Sequence, residues 1–100
     1  MPAVARKDGT DSVNTNHGCD PKTVTEEGSG DVFVNNIGIV RQRDKNKEHA
    51  FGGKKCRDRH KAELTVCSTT VFANNRGVGR IGDKYGIESI ASGSPNVFAG

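Results

Sequence analysis

Val32 Phe33 Val34 Asn35 Asn36 Ile37 Gly38 Ile39 Val40 Arg41 Gln42 Arg43 Asp44 returns 39 residues later as Val71 Phe72 Ala73 Asn74 Asn75 Arg76 Gly77 Val78 Gly79 Arg80 Ile81 Gly82 Asp83, identical at seven of thirteen positions. Each copy opens with a strand-prone pair, passes through Asn-Asn, which tolerates positive φ, and resumes in a second apolar run. The pattern predicts a β hairpin over Asp31–Arg43 and another over Val71–Ile81. The Asn pair reads as turn chemistry rather than as a catalytic feature. A third copy of the opening, Gly93 Ser94 Pro95 Asn96 Val97 Phe98 Ala99 Gly100, matches Gly28–Asn35 and Cys67–Asn74 but lacks the continuation. That continuation, Gly38 Ile39 Val40 Arg41 and Gly77 Val78 Gly79 Arg80 in the other copies, has its counterpart in Ala3 Val4 Ala5 Arg6. The two termini are expected to complete one split repeat, and three equivalent units predict a pseudo-threefold body closed by its own ends.

The totals bound what such a body can be. With 100 residues the chain forms one domain, residues 1–100, and its apolar fraction of 32%, with no Trp, one Tyr and four Phe, leaves little for a core. Domains of this size and composition lean on a metal, a disulfide or a partner. Three cysteines leave an odd thiol under any pairing, which argues for metal ligation or plain thiols over a disulfide framework. Met1–Asp8 has no apolar run to serve as a signal peptide, so synthesis in the cytoplasm is expected. Net charge is +3, but Arg41–Lys61 holds nine basic and three acidic residues, a local +6.

Residues 7–30 are polar without helical period and read as loop and edge structure. Residues 43–60 read as an irregular charged loop. Ala62–Val66 and Ile87–Ala91 are expected to be the strands that lead into the second and third copies. No helix longer than a turn or two is evident, and the fold class is all-β: a small conical body of short hairpins.

His17, His49, His60 and one Cys form a set suited to a tetrahedral zinc or similar ion. Their spacing fits no common zinc finger or knuckle, since Cys56, His60 and Cys67 include no Cys-x-x-Cys pair. Two readings of the repeated strands stand. Phe33, Phe72 and Phe98, or the apolar neighbours they alternate with, form the core and the base, or the Phe are core only and the alternating Val (Val32, Val71, Val97) face a partner.

The Val-Phe-x-Asn phrase, the Arg and Asp that follow it, His17 Gly18 Cys19, and the closing Gly93–Gly100 together resemble the PAAR-repeat spike-tip proteins over essentially the whole chain. The Pro-Ala-Ala-Arg segment that names the family aligns with Gly38–Arg41 and Gly77–Arg80, where only the Arg is kept, so the resemblance is to a divergent member. It implies a cone whose base, Val32, Phe33, Val71, Phe72, Val97 and Phe98, caps one trimeric β-helical spike protein per monomer. The setting implied is a contractile phage tail or a type VI secretion machine, with transient contact with a target cell envelope. It also implies a zinc ion near the point, with His17, His49 and His60 as ligands. The family's cysteine falls on Gly86, so the fourth ligand is open: Cys56 first, then Cys19, with Glu88 or water as further choices, while Cys67, at a repeat Gly position, reads as a small packed residue.

Two other classes compete. The Arg41–Lys61 stretch suits a nucleic-acid-binding module, although Phe51 is its only aromatic for base stacking. A Cys56–His60 thiol enzyme lacks any oxyanion or pocket signature, and no enzymatic activity is expected.

Overall fold

The two copies of the phrase fold as the same hairpin in a computed structural model that describes residues 1–100. Phe33–Val34 pairs with Ile37–Gly38, and Phe72–Ala73 with Arg76–Gly77, in matching register. Between the strands Asn35 and Asn36 (φ 54° and 65°) and Asn74 and Asn75 (φ 53° and 63°) all take positive φ. A two-residue turn with both residues left-handed matches the right-handed twist of its strands, which is why Asn stands at both positions.

In chain order the strands are β1 (Ser12–Asn14), β2 (Lys22–Val24), β3 (Phe33–Val34), β4 (Ile37–Gly38), β5 (His49–Gly52), β6 (Asp58–His60), β7 (Phe72–Ala73), β8 (Arg76–Gly77), β9 (Lys84–Tyr85) and β10 (Glu88–Ile90), with one 3-10 turn at Lys54–Cys56. β2, β1, β10 and β9 form a four-stranded antiparallel sheet, and β3–β4, β5–β6 and β7–β8 are separate hairpins. The fold is all-β, 40 Å long with two equal short axes of 23 Å.

Backbone hydrogen bonds close the repeats around one axis. Ala5 N donates to Gly79 O (2.9 Å), Gly79 N to Val40 O (2.8 Å) and Val40 N to Ala5 O (2.9 Å), a cyclic triad with one member from each copy. The residues beside it bridge in the same cyclic order, Arg6 with Ile39, Arg41 with Val78 and Arg80 with Val4. The split repeat assembles as expected. Val4 N donates to Val97 O (3.1 Å) just as Ile39 N donates to Val32 O and Val78 N to Val71 O (both 3.0 Å).

Side chains repeat the symmetry. In each copy an Arg main-chain N–H and its Nε both donate to one Asp oxygen, pairing Arg6 with Asp11, Arg41 with Asp44 and Arg80 with Asp83. Ser29, Ser68 and Ser94 accept from the N–H groups of Val32, Val71 and Val97. Each Ser also meets the next copy: Ser29 donates to Asn74 Oδ1, Ser94 to Asn35 Oδ1, and Ser68 to the main-chain oxygen of Gly100, which stands where the other copies have Asn. Buried polar groups thus find partners across the copy boundaries, which makes the three units mutually dependent.

The core is two thin layers. Val4, Val34, Ile39, Ala73, Val78 and Ala99 form one, and Ala5, Val13, Val40, Leu64, Tyr85 and Ile90 the other. The first layer takes the residue after each Phe, so period-2 alternation turns the Phe outward: Phe33, Phe72 and Phe98 are 57%, 59% and 50% exposed. This corrects the reading of the Phe as core. Val32 and Val71 are exposed as well, and Val97 is partly buried against the first layer.

Three further expectations change. Residues 7–30 hold β1 and β2, and β1 is an inner strand of the four-stranded sheet rather than an edge. The charged loop 43–60 contains the β5–β6 hairpin. Ala62–Val66 is no strand but a single bridge at Glu63–Lys45, with Leu64 buried between main-chain bonds to Asp44 and Arg43. The strand expected at Ile87–Ala91 is present as β10.

Candidate metal centre

His49 and His60 face each other as a registered pair across the β5–β6 hairpin. Glu88 is the first residue of β10, directly after the two-residue turn in which Gly86 takes φ 66°. His17 comes from the loop that follows β1. That loop is closed on itself by Thr15 N to Pro21 O (3.0 Å) and Thr15 Oγ1 to Asp20 O (2.7 Å). Three contacts fasten it to its surroundings. Asn16 Nδ2 donates to Ile87 O (2.8 Å), Ala50 N donates to Asp20 Oδ2 (2.8 Å), and Cys19 is disulfide-bonded to Cys56.

The four side chains converge on one point. Nε2 of His17, His49 and His60 each lies 2.8 Å from Glu88 Oε2, and the ligand atoms of the four residues all lie within 4.8 Å of one another. Glu88 and His49 are buried, and His17 and His60 are partly exposed.

Hydrogen bonds behind the rings decide which nitrogen faces the centre. His17 Nδ1 is 2.6 Å from Cys19 O, and His49 Nδ1 is 2.7 Å from Lys47 O. A carbonyl can only accept, so both Nδ1 atoms carry a proton, and Nε2 is the nitrogen each ring turns to the centre. His60 Nε2 lies 2.8 Å from His49 Nε2, and Phe51 stacks on the His60 ring at a centroid distance of 4.4 Å, holding it in place. Protons on these Nε2 atoms donate to Glu88 Oε2, and a cation seated among the four side chains would take the place of those protons. An Nδ1–H bonded to a carbonyl, as behind the His17 and His49 rings, is the usual support of a metal-ligating histidine.

Glu88 supplies the negative charge. Its burial works to raise the carboxyl pKa, but the contacts from His49, Asn46, His17 and His60 outweigh burial and hold it below its ordinary value. Three imidazole nitrogens and one carboxylate oxygen are a donor set for a divalent ion such as zinc. A four-coordinate shell of that kind has edges of about 3.3 Å, from metal–ligand distances of about 2.0–2.1 Å, so small side-chain movements would seat an ion.

The sequence-predicted set is thus brought together at its three histidines and corrected at its fourth member. Cys56 and Cys19 are bonded to each other, at a Cα separation of 5.7 Å, and neither retains a thiolate to give to an ion. Glu88 takes the place assigned first to Cys56. Gly86, where the family resemblance places a cysteine, is a turn residue, and the ligand comes instead from the strand two residues on. The odd thiol belongs to Cys67, whose pKa is raised, chiefly by burial.

Val32, Phe33, Val71, Phe72, Val97 and Phe98 form no part of the histidine cluster: the residues that follow the Phe pack in the first core layer, while Val13, Tyr85 and Ile90, from the sheet that carries Glu88, pack in the second. No family model matches the chain, and no curated protein matches it.

Proposed function

We propose that the chain is a structural tip protein of the PAAR-like kind, capping a trimeric β-helical spike of a contractile phage tail or a type VI secretion machine, with zinc stiffening its point. The observation that carries this reading is that one chain bears two separate features: an exposed Phe in each of three Val-Phe copies joined by a cyclic triad of backbone bonds, and a His-rich centre. A single chain that offers three equivalent apolar faces can match a trimer without itself trimerising. Exposed Phe at the same position in every copy is surface a monomer would otherwise cover.

Mechanically, the centre and the disulfide tie the His17 loop, the β5–β6 hairpin and β10 where the core is too thin to do so. Metal binding to the folded arrangement adds directly to folding free energy, which stiffens the point that meets a cell envelope. His17, His49, His60 and Glu88 would hold the ion. No catalytic role is assigned to any residue.

The nucleic-acid alternative loses support at Phe51, the one aromatic of the basic stretch, because its ring is engaged on His60. Co-expression with a candidate trimeric β-helix, followed by light scattering and elemental analysis, tests the proposal. One chain per trimer with about one zinc supports it. Salt-sensitive DNA binding with no complex and no metal would overturn it.

A further inference from the structure

Asn46 is fully buried between the centre and the chain leaving the β5–β6 hairpin. Its main-chain N–H donates to Ala62 O (2.9 Å), and it forms a bridge with Thr25. Both ends of its amide are also used: Oδ1 accepts from Ala62 N–H (3.0 Å) and Nδ2 donates to Glu88 Oε1 (2.8 Å). Because Ala62 N–H can only donate, the amide has one orientation, with its NH2 group toward Glu88. Oε1 is thereby engaged, and Oε2 alone meets the three imidazoles.

We propose that Asn46 is a positioning residue that makes Glu88 a one-oxygen ligand, and so makes the centre a four-coordinate site of three nitrogens and one oxygen. This rests on the reading of the cluster as a metal site. A carboxylate free to turn could offer both oxygens and raise the coordination number. Holding Oε1 on a buried amide prevents this and favours ions content with four ligands, zinc and cobalt(II), over manganese or magnesium, which require about six.

Cobalt(II) serves as the probe, because four-coordinate cobalt absorbs intensely in the visible and six-coordinate cobalt weakly. Metal-free wild type, N46L and N46D are titrated with cobalt(II), with manganese(II) as competitor, and their metal-free unfolding midpoints are measured alongside. N46L is close to Asn in size but cannot donate to Glu88. N46D keeps the shape and the acceptor for Ala62 N–H while losing the amide donor; its titrations are repeated at rising pH, because a proton shared between the two carboxyl groups would restore a donor. Wild type should show intense bands and exclude manganese. Both variants should bind cobalt(II) about 10–100-fold more weakly, with bands of lower intensity and weaker discrimination against manganese. A merely structural role would lower the unfolding midpoint and leave the spectrum unchanged.

Wild type that binds no cobalt overturns the metal reading itself. Wild type that binds it with weak, six-coordinate bands overturns the four-coordinate assignment without any variant. Intense wild-type bands retained by N46D, with affinity within about twofold, overturn the role of Asn46 and leave the metal site standing. Should N46L fail to fold, N46D decides by the same reading.

Discussion

Breaking the Cys19–Cys56 disulfide should cost most of the stability of the point. The bridge closes a segment with a sequence separation of 37 residues. By the loop-entropy relation for a crosslink, that closure removes unfolded-state freedom worth about 4 kcal/mol at 25 °C. A domain of this length has a total stability of about 5–15 kcal/mol, so the loss is a large share of it, and it corresponds to a fall in melting temperature of roughly 20 °C. A second effect is local. Cys19 O fixes the tautomer of His17, and Cys19 is one of the few points that fasten the His17 loop to the β5–β6 hairpin, so zinc affinity should fall with it. Metal-free wild type, the Cys19→Ser/Cys56→Ser double variant and Cys67→Ser are compared by denaturant unfolding under oxidising conditions. Thiol titration of native and denatured protein runs in parallel. Cys67→Ser should behave as wild type, because that thiol is unpaired. Oxidised wild type should show one thiol on denaturation and the double variant one as well. Coincident unfolding curves for wild type and the double variant, or three thiols in oxidised wild type, would refute the reasoning.

Gly38→Ala and Gly77→Ala should each destabilise by about 1–3 kcal/mol, because a Cβ at either position runs into the main-chain oxygen of Ser29 or Ser68. Gly30→Ala, where nothing lies within 4 Å, should change the free energy of unfolding by less than about 0.5 kcal/mol. Phe33→Ser, Phe72→Ser and Phe98→Ser should leave monomer stability within about 1 kcal/mol, since the rings are already exposed, yet weaken capture by a trimeric spike; stable monomers with unchanged capture would remove these residues from the interface. For Glu88 the folded-state pKa is depressed, so its contribution is fully present above the ordinary glutamate value of about 4.3 and is lost as pH falls through the lower folded value. The stability gap between metal-free wild type and Glu88→Gln should therefore narrow on acidification across that window in urea titrations, and a gap that widens there would contradict the assignment.

Hairpins, repeat register and the closure of the third copy by residues 3–6 were legible in the linear chain because they depend on local chemistry. Asn-Asn accepts two left-handed residues, a two-residue turn fixes its own register, and an Arg three places ahead of Asp, as in Arg41–Asp44 and Arg80–Asp83, can bond to it within one turn of chain. The histidines were legible as chemistry but not as geometry, since residue type announces a ligand while spacing across three separate segments does not announce a site.

What only the tertiary structure decided concerns partners distant in the chain. Cys19 and Cys56 lie far apart in sequence, and their pairing depends on how the His17 loop packs on the β5–β6 hairpin. With both sulfurs engaged, the fourth place at the centre passes to Glu88, which an alternating strand turns inward beside Ile90, and Asn46 reaches it from 42 positions away. The outward turn of the three Phe was likewise settled by packing. Alternation dictates that one residue of each Phe-Val or Phe-Ala pair is buried, but only a core as thin as this one, filled by Val34, Ala73 and Ala99, determines that the smaller residue goes in.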